Sequence, residues 1–93
     1  MTATSFVKNC IDNIVKSIPY VKCTYEYHAL SHTHFIEVLP HSTYQSDKNY
    51  IDIEEKIVNE FEEKYFGEYI CFITNNSIHK ITNPSYSNKG VNA

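Results

Sequence analysis

The stretch VKCTYEYHALSHTHFIEVL, Val21 to Leu39, decides the fold because apolar residues recur at every second position through most of it. Successive side chains of a β-strand point to opposite faces, so this alternation predicts strands with one buried face. We predict one strand over Val21–Ala29 and a second over Phe35–Leu39. The short polar stretch between them predicts that the two strands form an antiparallel hairpin.

Two hairpin registers fit the sequence. A four-residue loop, Leu30–Thr33, pairs Tyr27 with Ile36 and places Glu26 opposite Glu37. A three-residue loop pairs Glu26 with Ile36 instead. We favour the first register because it collects the apolar side chains on one face. The facing carboxylates cost only about 0.2–1 kcal/mol when they are solvated.

An amphipathic helix precedes the hairpin. Apolar residues at three- and four-residue spacing predict this helix over Ser5–Ser17. Thr4 or Ser5 is expected to cap its start, and Pro19 is expected to end it. A polar loop, Pro40–Asp47, is predicted on the other side of the hairpin.

A second, acidic helix follows that loop. Its apolar stripe covers residues 50–65, and Asp47 or Asn49 is expected to cap it. Gly67 is expected to end the helix in a left-handed conformation, with Phe66 packing back against the last turn.

The C-terminal third contains one clear strand signal. Tyr69–Thr74 is short, uncharged and rich in β-branched and aromatic residues, which predicts a central strand. Asn75-Asn76 can turn the chain back into a fourth strand at Ile78–Thr82. Residues 1–83 are therefore predicted as a single domain, and residues 84–93 as a polar, flexible tail.

These elements predict an α+β fold in the order α-β-β-α-β, with a possible final β. Two amphipathic helices need one sheet face to cover. We therefore expect a two-layer α/β sandwich, in which both helices lie on one face of a small, mainly antiparallel sheet. The helix-free face is left to solvent or to a partner.

Composition excludes several functions. The 93 residues contain no arginine, and eight of the eleven acidic residues fall within 47–68, so the basic stripe of a nucleic-acid-binding protein is missing. No apolar run reaches the length of about 20 residues that spans a bilayer. Three cysteines without a CxxC pair are expected to be buried thiols of a reduced, cytoplasmic protein. No cofactor-binding motif is present, so no cofactor is expected.

The hairpin histidines His28, His32 and His34 are candidate metal ligands. Imidazole nitrogens bind transition ions, and a hairpin can bring residues at this spacing together. In the favoured register, however, His28 and His34 point to opposite faces. A solvated hairpin tip is the preferred interpretation, and a transition-metal-binding protein is the alternative.

Glu26 and Glu37 form a second candidate site. Paired carboxylates separate their pKa values and can act as acid and base in a small hydrolase. That chemistry needs a sheltered cleft, which an open sheet face does not provide. A solvated face is therefore favoured over catalysis, and no catalytic residue is assigned.

Aromatic residues are the most informative surface feature, because tyrosine combines a large apolar area with a hydroxyl that suits interfaces. The residues expected to fill the core are Tyr25, Tyr27, Tyr50 and Tyr65. The residues expected to face a partner are Phe35, Tyr44, Tyr69 and Phe72. The sequence thus predicts a protein-interaction or regulatory module that acts through its helix-free face, either on a protein partner or by self-association as a homodimer.

Overall fold

The computed structural model describes residues 2–93, which form three α-helices and one four-stranded sheet. The helices are α1 (Ala3–Ser17), α2 (His41–Ser46) and α3 (Lys48–Lys64). The strands are β1 (Lys22–His28), β2 (Thr33–Leu39), β3 (Tyr69–Ile73) and β4 (Tyr86–Lys89). The sheet order is β3-β2-β1-β4, with β2 and β3 parallel and the other pairs antiparallel. The predicted α+β fold is confirmed. Within these residues, no helix is both long and apolar enough to cross a bilayer.

The core lies between the sheet and the helices α1 and α3, which cover the same face. Val7, Ile11 and Ile14 of α1 are fully buried, as their helical spacing predicts. They pack with Tyr25 of β1 and with Phe61 of α3 in one cluster. Burying each of these aliphatic side chains and Phe61 contributes about 1.5–3 kcal/mol to folding.

The four tyrosines predicted for the core divide between the interior and its rim. Tyr25 and Tyr50 are fully buried, which confirms the prediction for these two. Tyr65 is half-buried against the cluster. Tyr27 is 37% exposed although it lies on the same face as Tyr25, because it is at the hairpin end of β1, the rim of the sheet.

The residues that cap and end the helices agree in part with those predicted from the sequence. Thr2, rather than Thr4 or Ser5, caps α1, since its hydroxyl accepts a 3.1 Å hydrogen bond from the Ser5 N–H. Asp47 caps α3 by accepting from the Tyr50 N–H at 3.1 Å, as predicted. Gly67 has a φ of 93° and turns the chain out of α3, also as predicted.

The hairpin register differs from both predicted alternatives. Tyr25 pairs with Ile36, and Tyr27 pairs with His34. The turn is a single 3-10 turn over Ala29–Ser31 followed by His32 in the left-handed region, with a φ of 53°. This register keeps the predicted face for every side chain. The interpretation of the three histidines as a solvated hairpin tip is wrong for His34, which is buried and has two hydrogen-bonding partners.

The predicted polar loop Pro40–Asp47 contains the short helix α2 instead. The backbone N–H groups of Thr43 and Tyr44 both bond to the carbonyl of Pro40, which closes its first turn. Thr43 is buried, so this turn is fixed by packing rather than by an apolar periodicity that the sequence would reveal.

β3 forms at the predicted residues but at a different place in the sheet, and the fourth strand forms at residues that were not predicted. β3 is an edge strand and not a central one, and no strand forms at Ile78–Thr82. The fourth strand, β4, lies inside the segment 84–93 that was predicted as a flexible tail. It is held to α1 because the Tyr86 hydroxyl and the Asn88 amide both donate to the Asp12 carboxylate, at 2.5 and 2.9 Å.

Residues 74–85, here called the crossing segment, connect β3 at one edge of the sheet with β4 at the other. They pass over the helix-free face, where the His79 ring stacks on Phe35 and the backbone N–H groups of Thr82 and Asn83 donate to Glu26. The expectation that this face is left to solvent or a partner is therefore wrong for its centre. A connection between opposite edges has to cross one face, and α1 and α3 already occupy the other.

Candidate functional site

A chain of hydrogen bonds runs from the core to the surface through His34. The hydroxyl of Tyr25 lies 2.6 Å from Nδ1 of His34, and Nε2 of His34 lies 2.6 Å from Oε1 of Glu68. Tyr25 and His34 are buried, whereas the Glu68 side chain is 35% exposed. Every group is satisfied when the Tyr25 hydroxyl donates to Nδ1 and the Nε2–H donates to the carboxylate. The chain thus fixes one oxygen of Glu68 and leaves Oε2 for other contacts.

Glu68 forms part of the wall of a surface cavity of about 490 Å³, here called the corner cavity. The cavity lies where α3 ends and β3 begins, and it is lined by Glu62 and residues 65–70. Phe66 is fully exposed, which contradicts the prediction that it packs back on the helix, and Tyr69 is 63% exposed. The cavity therefore combines two carboxylates with exposed aromatic rings.

The corner cavity is next to a free sheet edge. The Tyr69 N–H bonds to the carbonyl of His32, so Tyr69 directs its backbone groups toward β2. Because these groups alternate along a strand, the N–H and C=O of Ile70 point away from β2. Farther along the same edge, the Phe72 carbonyl accepts a 3.0 Å hydrogen bond from the Tyr44 hydroxyl. The edge is therefore covered at Phe72 and open at Ile70.

A second polar cluster lies under the crossing segment. Oε1 of Glu26 accepts from the N–H groups of Thr82 and Asn83, each at 2.8 Å, while its Oε2 lies 3.6 Å from Nε2 of His79. The hydrogen bond from Asn83, aided by that from Thr82 and by His79, holds the pKa of Glu26 below its usual value. This carboxylate anchors the segment to the sheet.

The three hairpin histidines do not converge. Nδ1 of His28 is 2.8 Å from the Ser31 hydroxyl, and Nδ1 of His32 is 3.3 Å from the Tyr27 hydroxyl. His34 is on the opposite face of the sheet, packed edge-on against Phe61. Within residues 2–93, no group of three His, Cys, Asp or Glu side chains is placed to hold a metal ion. The geometry required by the metal-binding alternative is absent from this part of the chain.

The carboxylate pair predicted for the hydrolase alternative does not form either. Glu26 is opposite Phe35, and Glu37 is opposite Thr24. The two-residue shift of the register separates the carboxylates, and the backbone of the crossing segment occupies one oxygen of Glu26. The prediction that Glu26 and Glu37 face each other, on which the hydrolase alternative depended, is therefore wrong.

The four residues predicted to face a partner occupy different places. Phe72 is buried and Tyr44 is half-buried against the core, so neither is free to meet a partner with its ring. Phe35 is on the helix-free face under His79. Only Tyr69 is largely exposed, and it lines the corner cavity.

Sequence reasoning missed Glu62, Phe66 and Glu68 as site residues. The acidic character of the second helix was visible, but nothing local showed that Glu68 meets His34 across 34 positions of sequence. One available signal was the run of aromatic and acidic residues around Gly67, where a helix end and a strand start are adjacent.

Comparison with known proteins adds no assignment: no protein-family model, curated protein or solved structure matches this chain. The proposals below therefore rest on the geometry of the chain itself.

Proposed function

We propose that this chain is a protein-recognition module that binds an extended segment of another protein along the free edge of β3. The observation that carries the proposal is the outward direction of the Ile70 N–H and C=O, next to the corner cavity. An extended segment can add to such an edge as a further strand, with backbone hydrogen bonds giving affinity and neighbouring pockets giving specificity.

The two edges of the sheet differ in a way that favours β3. Its sequence, YICFI, has no charge and no proline, and Tyr69 and Cys71 are exposed on it. The β4 edge, YSNK, is shorter and ends in a lysine, and these features discourage edge pairing. The β3 edge therefore has the composition of a docking strand.

Charge favours a different protein over a second copy of this chain. Helix α3 packs beside β3 and carries six carboxylates against three lysines. Pairing two β3 edges would bring two acidic helices together, which costs energy, whereas a basic segment would be attracted. We therefore expect a monomer in light scattering, and a dimer that forms through β3 would contradict this choice of partner.

The test is a peptide-display selection on the wild-type chain alone, after which the affinity of each selected peptide is measured for the wild type and for Ile70→Pro. Proline removes the outward N–H of Ile70 without removing a bond to β2, and it is tolerated on edges. We expect selected peptides to bind Ile70→Pro at least about tenfold more weakly, as for loss of one well-formed hydrogen bond in a desolvated interface. The Ile70 amide should also exchange hydrogen more slowly in the complex.

The matched control is Ser87→Pro on the β4 edge. The Gly90 N–H bonds to the carbonyl of Val21, so by alternation the Ser87 N–H points away from β1. Proline at Ser87 therefore also removes an outward N–H without removing a bond to the neighbouring strand. We expect Ser87→Pro to bind the selected peptides as the wild type does. Peptides that bind Ile70→Pro as well as wild type, or a selection that yields no binder, would refute the proposal.

A further inference from the structure

We propose that the corner cavity is a subsite for a positively charged side chain of the partner segment, the ammonium of lysine or the guanidinium of arginine. This inference rests on the proposed function in one respect, because the charged side chain is taken to belong to the segment bound along β3. Its negative charge is carried by Glu62 and Glu68, which lie outside β3, so the charge can be tested separately from the backbone groups of the β3 edge.

The carboxylates provide the first argument. Glu62 and Glu68 both line the cavity, and the residues that line it include no cationic group. The nearby Lys64 is engaged elsewhere, since its ammonium is 2.8 Å from Glu60 and 5.5 Å from the centroid of the Phe6 ring. A cation that enters the cavity therefore meets negative charge that no lining residue neutralises.

The fixed position of Glu68 provides the second argument. Nε2 of the buried His34 holds Oε1 of Glu68 at 2.6 Å, and His34 is itself held by Tyr25. The side chain loses little additional freedom when Oε2 accepts a bond from a ligand, so binding costs less entropy. A surface glutamate without such support gains little from an ion pair.

The aromatic rings and the helix end provide the third argument. Phe66 and Tyr69 are exposed at the cavity, and ring faces attract ammonium and guanidinium groups. Helix α3 also ends here, and the unpaired carbonyls of a helix C-terminus carry partial negative charge. The carboxylates, the aromatic rings and the helix end therefore all favour a cationic group carried on an alkyl chain, as in lysine and arginine.

The experiment is an NMR titration with single blocked amino acids, which cannot pair along β3 to any useful extent. The probes are N-acetyl-arginine methylamide, N-acetyl-lysine methylamide and the neutral isostere N-acetyl-citrulline methylamide. We expect both cations to shift the amide resonances of residues 66–70 in a saturable way that weakens with added salt. Citrulline should bind at least about tenfold more weakly than arginine, as for loss of the charge in a charge-assisted bond.

Two variants test the carboxylates. Glu68→Gln and Glu62→Gln should each weaken arginine binding by about five- to tenfold. Because Glu62 is not bonded to His34 in the structure, its variant separates loss of charge from any disturbance of the buried chain. The control Glu63→Gln makes the same charge change on α3 outside the cavity lining and should have less than about a twofold effect.

The outcomes are distinct from those of the edge test. Equal binding of citrulline and arginine, or unchanged binding in both carboxylate variants, would overturn the cation subsite even if peptides still bind at Ile70. Cation binding that persists in Ile70→Pro, together with failure of the peptide selection, would uphold the subsite and reject the edge pairing.

Discussion

The imidazole of His79 lies flat on the ring of Phe35, with ring centroids 3.7 Å apart and an interplanar angle of 8°. This contact joins the crossing segment to β2 at the centre of the helix-free face. With the hydrogen bonds to Glu26, it explains why the surface first expected to receive a partner is covered by the chain itself. The proposed recognition therefore uses the edge of β3 and the corner cavity instead.

Replacement of Glu26 by glutamine should lower stability in a pH-dependent way. The folded-state pKa of Glu26 is depressed by the bond from Asn83, so its stabilisation is present above its ordinary pKa, about 4.5, and is lost as pH falls through the folded value. We expect Glu26→Gln to cost about 1 kcal/mol at pH 7, because the amide oxygen can still accept from Thr82 and Asn83 and only the advantage of a charged acceptor over a neutral one is lost.

The measurement for Glu26 is urea unfolding of wild type and variant at pH 7 and at pH 3. The difference in unfolding free energy should shrink at the lower pH. Glu37→Gln is the matched control, because it makes the same change on the adjacent strand away from Thr82 and Asn83. A difference that is the same at both pH values would contradict the assigned role of Glu26.

Removal of the Tyr25 hydroxyl should destabilise the fold through His34. Tyr25→Phe keeps the buried ring but leaves Nδ1 of His34 without its donor at 2.6 Å. An unsatisfied buried acceptor costs about 1–3 kcal/mol. The measurement is chemical denaturation, with Tyr69→Phe at an exposed site as the control, expected within about 0.5 kcal/mol of wild type. Equal stability of the two variants would show that the buried chain contributes nothing.

The three cysteines should differ in their reaction with thiol reagents. Burial raises the pKa of Cys10 to about 11 and that of Cys23 to about 12. Partial burial also raises the pKa of the Cys71 thiol, but Cys71 is exposed on β3, which contradicts the expectation that all three thiols are buried. The thiolate is the reacting form, so only Cys71 should be modified in the folded protein. Mass spectrometry should find one label per native chain and three after denaturation. Labelling of Cys23 before Cys71 would be inconsistent with this structure.

Alanine at Gly90 should loosen the C-terminal end of the sheet. A Cβ at this position would overlap the backbone of Pro19, and the Gly90 N–H bonds to Val21. Overpacking of this kind costs about 1–3 kcal/mol. Thermal unfolding should show a decrease of about 4–8 °C per kcal/mol for a domain of this size. The control is Val91→Ala, at a site that is 91% exposed, and its midpoint should stay at the wild-type value.

Local patterns were sufficient to predict both long helices, three of the strands and the face of each hairpin residue. The periods of 3.6 and 2 follow from backbone geometry, so the burial of Val7, Tyr25 and Ile36 could be derived from spacing alone. The Asp47 cap and the left-handed Gly67 follow from chemistry within a few residues of each. These features of the fold were determined by the sequence because each depends on neighbours along the chain.

Only the tertiary structure decided the register of the hairpin, the position of β4 and the corner cavity. Each depends on partners far apart in sequence: His34 with Glu68, Tyr86 with Asp12, and His79 with Phe35. A shift of two residues keeps every side chain on its face, so alternation cannot distinguish the two registers. The observed register gives the buried His34 its bonds to Tyr25 and Glu68, and the contact with Glu68 exists only in the complete fold.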